Sequence, residues 1–363
     1  MEYVQERVTT LHDFRDPTPD APTDRTAVVV PMTEREYDGL AVERVLSELE
    51  AVDPARVVVP LRASAEQVGP FADWLTSFEL PVEVLWCGGP RLADLLADHG
   101  LDGERGKGRD VWLALGRATI EEYVVVHDAD TKTYSRSDVP RLLFPLTHGH
   151  EFSKGYYARI EDNRLYGRLL RLFYAPLVRT LLDEHDAPLL RYLDAFRYAL
   201  AGEFAATSDV ARQLRVARTW GLEVSTLCDA FDAVGFDGSA QVDLGAYEHD
   251  HRSVGGPTGL SEMSGAVGAT LFRALEEHGI DVDYATLPEQ YREVAERSVE
   301  QYAVDAAFNG LDYDRDAETE QIESYATALR APGTDTRLPA WDAVSLTPEA
   351  VFDAATEDLK ETR

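Results

Sequence analysis

The stretch Tyr123–Tyr134, YVVVHDADTKTY, is a β-branched run that stops at two aspartates separated by one alanine. An unbroken apolar run of this length predicts a strand covered on both faces, because neither side is left for polar residues. Carboxylates at the tip of such a strand need a reason. Residues i and i+2 of an extended chain point the same way, so Asp128 and Asp130 can project together, roughly 6 to 7 Å apart.

The surroundings repeat the pattern. TAVVVPM (Thr26–Met32), RVVVPL (Arg56–Leu61), VEVLWC (Val82–Cys87) and EYVVVHD (Glu122–Asp128) are apolar almost throughout. Helical stripes alternate with them: Tyr37–Val52 carries Leu40, Val45, Leu46 and Leu49, and Asp110–Ile120 carries Val111, Trp112, Leu115 and Ala118. Strands and helices in alternation predict an α/β fold with a mostly parallel, doubly wound sheet, which binds ligands at the carboxyl ends of its strands. From about Glu151 long amphipathic stretches take over, including NRLYGRLLRLFYAPLVRTLLDE, Gly259–His278 and Pro288–Phe308, with the strand-like QVDLGAYEH (Gln241–His249) between them. The expected organisation is a polar lead at 1–25, an α/β half at 26–150, a mainly helical half at 151–330 and a tail at 331–363.

Composition narrows the function. Among 363 residues, 66 are acidic and 35 basic, for a formal charge of -31, and lysine occurs only at Lys107, Lys132, Lys154 and Lys360. A surface so acidic repels itself in dilute buffer, whereas at ~1 M salt the screening length shrinks to about 3 Å and the repulsion largely vanishes. A protein of a halophile's cytoplasm is expected. Nucleic acid and anionic membranes are poor partners for this charge. No apolar run approaches the ~20 residues that cross a bilayer. Cys87 and Cys228 have neither disulfide nor metal-site spacing and read as small buried hydrophobes.

Paired carboxylates at a strand tip suit a sugar nucleotide. One can accept from a ribose or sugar hydroxyl while the other, directly or through water, holds a magnesium or manganese ion that bridges diphosphate oxygens. Such an ion neutralises the charge that grows on the leaving diphosphate. Aspartates after a strand also cap turns, so Asp-Ala-Asp alone is a weak sign. Its company adds weight: Gly106, Lys107 and Gly108 form a GKG turn into the next helix, where bare amides and a lysine make a phosphate cradle. Downstream, His249 and His251 follow a strand-like run, and either can complete a metal site with Asp130.

The order GKGRDVWLAL, VVVHDAD, FSKGYYAR, ALAGEFAAT, WGLEVSTLCDAF and QVDLGAYEHDH resembles the glucosyl-3-phosphoglycerate synthase family, retaining glycosyltransferases of the GT-A fold, over about Val28 to Leu275. The resemblance implies a nucleoside diphosphate sugar donor, Mg2+ or Mn2+, transfer to the 2-hydroxyl of 3-phosphoglycerate and a homodimer. It places Lys107 on the donor diphosphate, Asp128 on the ribose or sugar, Asp130 and His249 on the metal, and Glu223 near the transferred sugar. Gly202 and Glu203 fall beside donor and acceptor. Pro31 and Gly108 fall on the donor side. Arg164 takes the acceptor's phosphate and carboxylate, a role its fork geometry suits, and Lys154, Gly155 and Tyr166 join it there.

Departures from the family pattern are specific. The loop after the first strand reads PMTERE, with Glu34 and Glu36 as its acidic members. The second strand ends VVVPLRAS, where the family has aspartates that recognise the nucleotide. The family's arginine-valine-threonine appears as Arg164, Leu165 and Tyr166. UDP-glucose and GDP-mannose both stay open as donors. Rival readings are another transferase of the same fold, a non-catalytic sugar-nucleotide binder, and a nucleotidyltransferase; the last calls for a glycine-rich loop after the first strand, and PMTEREYDG supplies no glycine before Gly39.

Overall fold

The computed structural model describes residues 6–12, 18–250 and 257–362. In chain order its strands are β1 (Thr9–Leu11), β2 (Thr26–Val29), β3 (Met32–Thr33), β4 (Arg56–Arg62), β5 (Val82–Trp86), β6 (Tyr123–Val126), β7 (Phe152–Ala158), β8 (Ile160–Glu161), β9 (Arg164–Leu165), β10 (Phe204–Thr207) and β11 (Ser239–Ala246). Among the described residues nine of them form one sheet in the order β1-β11-β7-β10-β6-β2-β4-β3, with β5 on β4, while β8 and β9 make a small hairpin. Only β10 runs antiparallel to its neighbours β6 and β7; the other ladders of the sheet are parallel. This is the expected mixed α/β architecture.

Alternation along each strand divides the core in two. Ala27, Val29, Val58, Leu85, Val124 and Val126 face one side, where Trp112, Leu115 and Leu172 pack. Val28, Val57, Val59 and Val125 face the other, against Val45, Leu46 and Leu142. Both faces are therefore dry, the condition that lets β2, β4 and β6 be apolar at every position. Burying one such valine contributes about 1.5–3 kcal/mol. Cys87 and Cys228 are buried and free.

Three differences from the expected elements have local causes. FSKGYYA and FAAT are strands from the second half of the chain, so residues beyond 150 build part of the sheet as well as the helices. The expected long helix over 163–184 starts late: β9 takes its first residues, and from Arg168 to Glu184 the chain is continuously helical, π-type at Leu169–Tyr174 and α at Ala175–Glu184. Gly167 adopts a positive φ of 78° just before the helix starts, and Pro176, with no amide to donate, sits where the π-type turns give way to the α-helix. The tail folds back: Trp341 stacks on Trp112 at 4.2 Å between ring centroids, and Asp358 accepts from the amides of Arg91 and Leu92 at 3.1 and 3.0 Å, capping the helix Pro90–Asp98.

Candidate functional site

Sequence order runs outward from β2 in both directions, to β4 and β5 on one side and to β6 on the other. A crevice at the carboxyl ends of the strands is expected where the order reverses. Register fixes what meets there: Val29 pairs with Val126, so the chain beyond β2 (Pro31) and beyond β6 (Asp128) emerges on the same edge. Pro31 lies at that edge, half-buried.

Lys107 is the first residue of the helix Lys107–Ala118 and ion-pairs with Asp128. Its ammonium also stands 3.7 Å from Glu223, in the first turn of the helix Leu222–Val234. Burial works against the charge on Lys107, but Asp128 and Glu223 more than offset it and hold the ammonium above its ordinary pKa. Burial opposes the charge of Asp128 in turn, and Lys107 holds its carboxyl below the usual range. The GKG glycines serve close packing. A Cβ at Gly106 would stand 2.7 Å from the Arg218 carbonyl oxygen, and one at Gly108 would collide with that of Ala217. The Arg109 amide donates to Arg218 at 2.9 Å. The GKG turn is thus backed by the segment leading to Glu223.

Gly202 admits Asp128: a Cβ there would lie 2.9 Å from the carboxylate. Its neighbour Glu203 begins the approach to β10, its side chain fully buried and both carboxyl oxygens without a hydrogen-bond partner. Burial, and then the charge of Asp128, push its pKa up to about 8. Ligand atoms of Asp128, Glu203 and His249 all lie within 4.8 Å of one another. Across the ladder, Lys154 of β7 pairs with Phe204 and donates to the Ala201 carbonyl. Burial lowers its pKa to about 8 against the pull of Glu223 and Glu203. Gly155 is required beside it, since a Cβ would press on Leu244 at 2.7 Å and on Glu203 at 3.1 Å.

His249 reaches the site through an isolated antiparallel bridge with Thr131. Lys132 donates to the Glu248 carbonyl and Asp250 to that of Asp130, each at 2.7 Å. Asp130 therefore flanks the same bridge, but it is Asp128 that joins Glu203 and His249. Burial, then Asp128, push the Asp130 carboxyl up to about 7, with Glu36 adding to the effect and Lys107 opposing it. Glu36 of the PMTERE loop is thus placed toward the aspartates. Next to Asp128, His127 is buried and its pKa falls to about 4, so it is neutral, bound to Tyr134 Oη through Nε2 at 3.0 Å. His251 lies outside the described residues.

On the acceptor side the expected Arg164 and Tyr166 lie in and just beyond the β8–β9 hairpin. Arg164 is exposed in the β8–β9 hairpin, its backbone paired with that of Asp312 in an isolated parallel bridge, and Tyr166 is tied to Arg159 and Arg171 through its backbone. Arg159 meets the neighbouring tyrosines: its guanidinium lies 3.5 Å from Tyr198 Oη, and Tyr198 packs on Tyr157 at 4.9 Å between centroids. Tyr157 stacks on Tyr247 at 4.3 Å and lies 5.8 Å from His249. The signal was in FSKGYYAR, where Tyr157 and Arg159 share one face of an extended chain.

Four carboxyls (Asp128, Asp130, Glu203 and Glu223) thus surround two lysines, and the buried, unbonded oxygens of Glu203 lie within reach of a carboxylate and an imidazole. Oxygen and imidazole donors in that arrangement fit a divalent cation. No helix among the described residues is long and apolar enough to cross a membrane.

No family model matches the chain. It is 34% identical to the glucosyl-3-phosphoglycerate synthase of Methanococcoides burtonii over 99% of both chains. To the glucosyl-3-phosphoglycerate synthase of Persephonella marina it is 37% identical, over 84% of this chain and 80% of that protein. The fold is shared with the Mycobacterium tuberculosis glucosyl-3-phosphoglycerate synthase in complex with Mn2+, uridine diphosphate and glucosyl-3-phosphoglycerate. There the TM-score is 0.56 and the identity 24%, over 76% of this chain and 89% of that one. It is shared equally with mannosyl-3-phosphoglycerate synthase from Rubrobacter xylanophilus, at a TM-score of 0.59 and 24% identity over 76% and 83%.

Proposed function

The chain belongs to the glucosyl-3-phosphoglycerate synthase family and is by that membership a glycosyltransferase; we propose that it moves a hexose from a nucleoside diphosphate sugar to the 2-hydroxyl of 3-phosphoglycerate, with Mg2+ or Mn2+. The observation that carries this reading is the meeting of Lys107, Asp128, Glu203 and His249 at the reversal point of the sheet. The donor is UDP-glucose or GDP-mannose in the first instance. Residues 26–150 bind it, and residues 151–330 supply most of the acceptor side.

Asp128, Glu203 and His249 would hold the cation, with Asp130 beside them as the second member of the aspartate pair. Bound there, it supplies positive charge to the diphosphate as the glycosidic bond breaks. Lys107, now paired with Asp128, turns its ammonium toward the same diphosphate. Glu223, close to Lys107, faces the sugar, and Gly202 keeps the backbone out of its way. Arg159 and the Tyr157–Tyr198 pair stand on the side from which a small anionic acceptor arrives, and Arg164 guards its outer rim. The anomeric carbon breaks its bond to the diphosphate oxygen as the acceptor oxygen bonds to the same face, and the acceptor's proton passes to the departing phosphate oxygen. Configuration is retained, and no side chain is needed as a covalent nucleophile.

The acidic, lysine-poor composition supports work in the molar salt of a halophile's cytoplasm. Exposed Val304 and Phe308 on the helix Leu287–Asn309 offer apolar surface for the expected homodimer. The test is a panel of UDP- and GDP-hexoses with 3-phosphoglycerate and Mn2+ in molar potassium chloride, with products identified by mass. Asp128→Ala should lose donor binding and turnover together. Full activity in that variant refutes the assignment.

A further inference from the structure

The stretch Thr336–Trp341, TRLPAW, lies in the tail, far in sequence from every residue of the site, yet it straps together the two segments that carry Lys107 and Glu223. Leu338 pairs with Val216 in an isolated antiparallel bridge, each amide donating to the other's carbonyl, at 2.8 and 3.0 Å, and both side chains are buried. Arg218 Nε donates to the Thr336 carbonyl at 2.8 Å. On the other side the indoles of Trp112 and Trp341 stack with 11° between their planes. Each indole N–H then crosses to the opposite backbone: Trp112 Nε1 donates to the Pro339 carbonyl at 2.7 Å, and Trp341 Nε1 to the Trp112 carbonyl at 2.8 Å. Gly116 makes room for the stack, since a Cβ there would stand 2.5 Å from the Trp341 ring. Arg337, its side chain only 7% exposed, fastens the start of the strap to Glu277 and Asp335.

These anchor points sit behind the site. Trp112 follows Lys107 by five residues, about 7.5 Å along the same helix. Val216 and Arg218 lead into the helix Leu222–Val234, whose first turn carries Glu223. Ser225 of that helix accepts from the Ala217 amide at 3.2 Å, and the carbonyls of Ala217 and Arg218 are what the GKG glycines pack against. The 3.7 Å between the Lys107 ammonium and Glu223 is therefore governed by how the two helix starts are held, and the strap grips both. It has one register: a slip of one residue would break the bridge and turn Leu338 out of its buried place.

Resting on the donor reading above, we infer that Thr336–Trp341 is a positioning element for the donor diphosphate, with Trp341 fixing the helix of Lys107 against the segment of Glu223. Trp341 acts through Lys107 and is not itself a ligand of the donor.

Calorimetric titration of GDP and UDP with Mn2+ in molar potassium chloride, into the full chain and its variants, tests this without an acceptor. For whichever nucleotide the wild type binds more tightly, Trp341→Ala should weaken binding about ten- to a hundredfold at a temperature where circular dichroism shows it folded. Trp341→Phe keeps the stack and loses only the bond to the Trp112 carbonyl, so it should recover to within about fivefold of wild type. In a Lys107→Gln background either substitution should cause no further loss, because the group it positions is gone. Asp358→Ala, which loosens the same tail at another point, should lower the melting temperature and leave affinity unchanged. A strap that merely stabilises the fold would give the opposite result, losses of equal size with and without Lys107, and that overturns the inference alone. If Trp341→Ala fails to fold, Trp341→Phe decides: a loss confined to the native Lys107 background supports the inference, and undiminished affinity overturns it. Binding of neither nucleotide by the wild type overturns the donor reading and the inference with it.

Discussion

Replacing Glu203 by glutamine probes the most unusual group in the site. Its carboxyl is fully buried, has no hydrogen-bond partner and is pushed up to about 8 by burial and by Asp128. A divalent cation binds the carboxylate, not the acid. With a pKa near 8, about one carboxyl in a hundred is ionised at pH 6 and about half at pH 8, so this group alone tightens cation binding about fiftyfold over that interval. Glutamine has the same size and does not titrate. The ratio of wild-type to Glu203→Gln affinity for Mg2+ should therefore widen about fiftyfold from pH 6 to pH 8, because protonation effects common to both proteins largely cancel. Calorimetry with Mg2+ alone measures it, with circular dichroism to confirm that both proteins are folded. A ratio flat in pH, or a variant that binds as tightly as wild type at pH 8, refutes the reasoning.

Other perturbations separate folding from chemistry. Asp138, buried and hydrogen-bonded by Tyr247 Oη at 2.7 Å, is pushed by burial from 3.8 to about 7. Between those values the folded protein holds more protons than the unfolded chain, so stability should fall as pH rises through that window, by up to about 4 kcal/mol. Asp138→Asn should flatten the fall in denaturant titrations run from pH 4 to 8. In Gly202→Ala the new Cβ can be accommodated only by moving the Asp128 carboxylate, so kcat/KM should drop about a hundredfold at an unchanged melting temperature. Asp358→Ala removes the cap of the helix Pro90–Asp98 and should cost about 0.5–2 kcal/mol in urea unfolding without altering turnover.

Apolar continuity made β2, β4, β5 and β6 readable to within a few residues, because only a doubly covered strand can be apolar at every position. β7 and β10 escaped that reading. FSKGYYA carries Lys154 and Gly155 inside a strand, which polarity and propensity both disfavour, and FAAT is short; only their places in the sheet, one against the other, explain them. The helix expected over 163–184 starts only after Gly167, whose positive φ outweighs the amphipathic stripe there, and it is π-type up to Tyr174, just before Pro176. Lys107, Asp128, Glu203, Glu223 and His249 were all recognisable as chemistry, but their convergence depends on the Thr131–His249 bridge and on the bare Cα of Gly202, neither of which has a local signature. Arg164 stands exposed in the β8–β9 hairpin, whereas Arg159, just past the end of β7, reaches the tyrosines beside His249.

The central claim is that the tip of β6 and its partners use one divalent cation to activate a sugar nucleotide. The most direct measurement is the release of nucleoside diphosphate from a GDP- or UDP-hexose with 3-phosphoglycerate present, followed with Mn2+ and with excess EDTA in the same molar salt. The account predicts release and a phosphorylated glycoside with Mn2+ and neither in EDTA. Equal turnover in EDTA would contradict it.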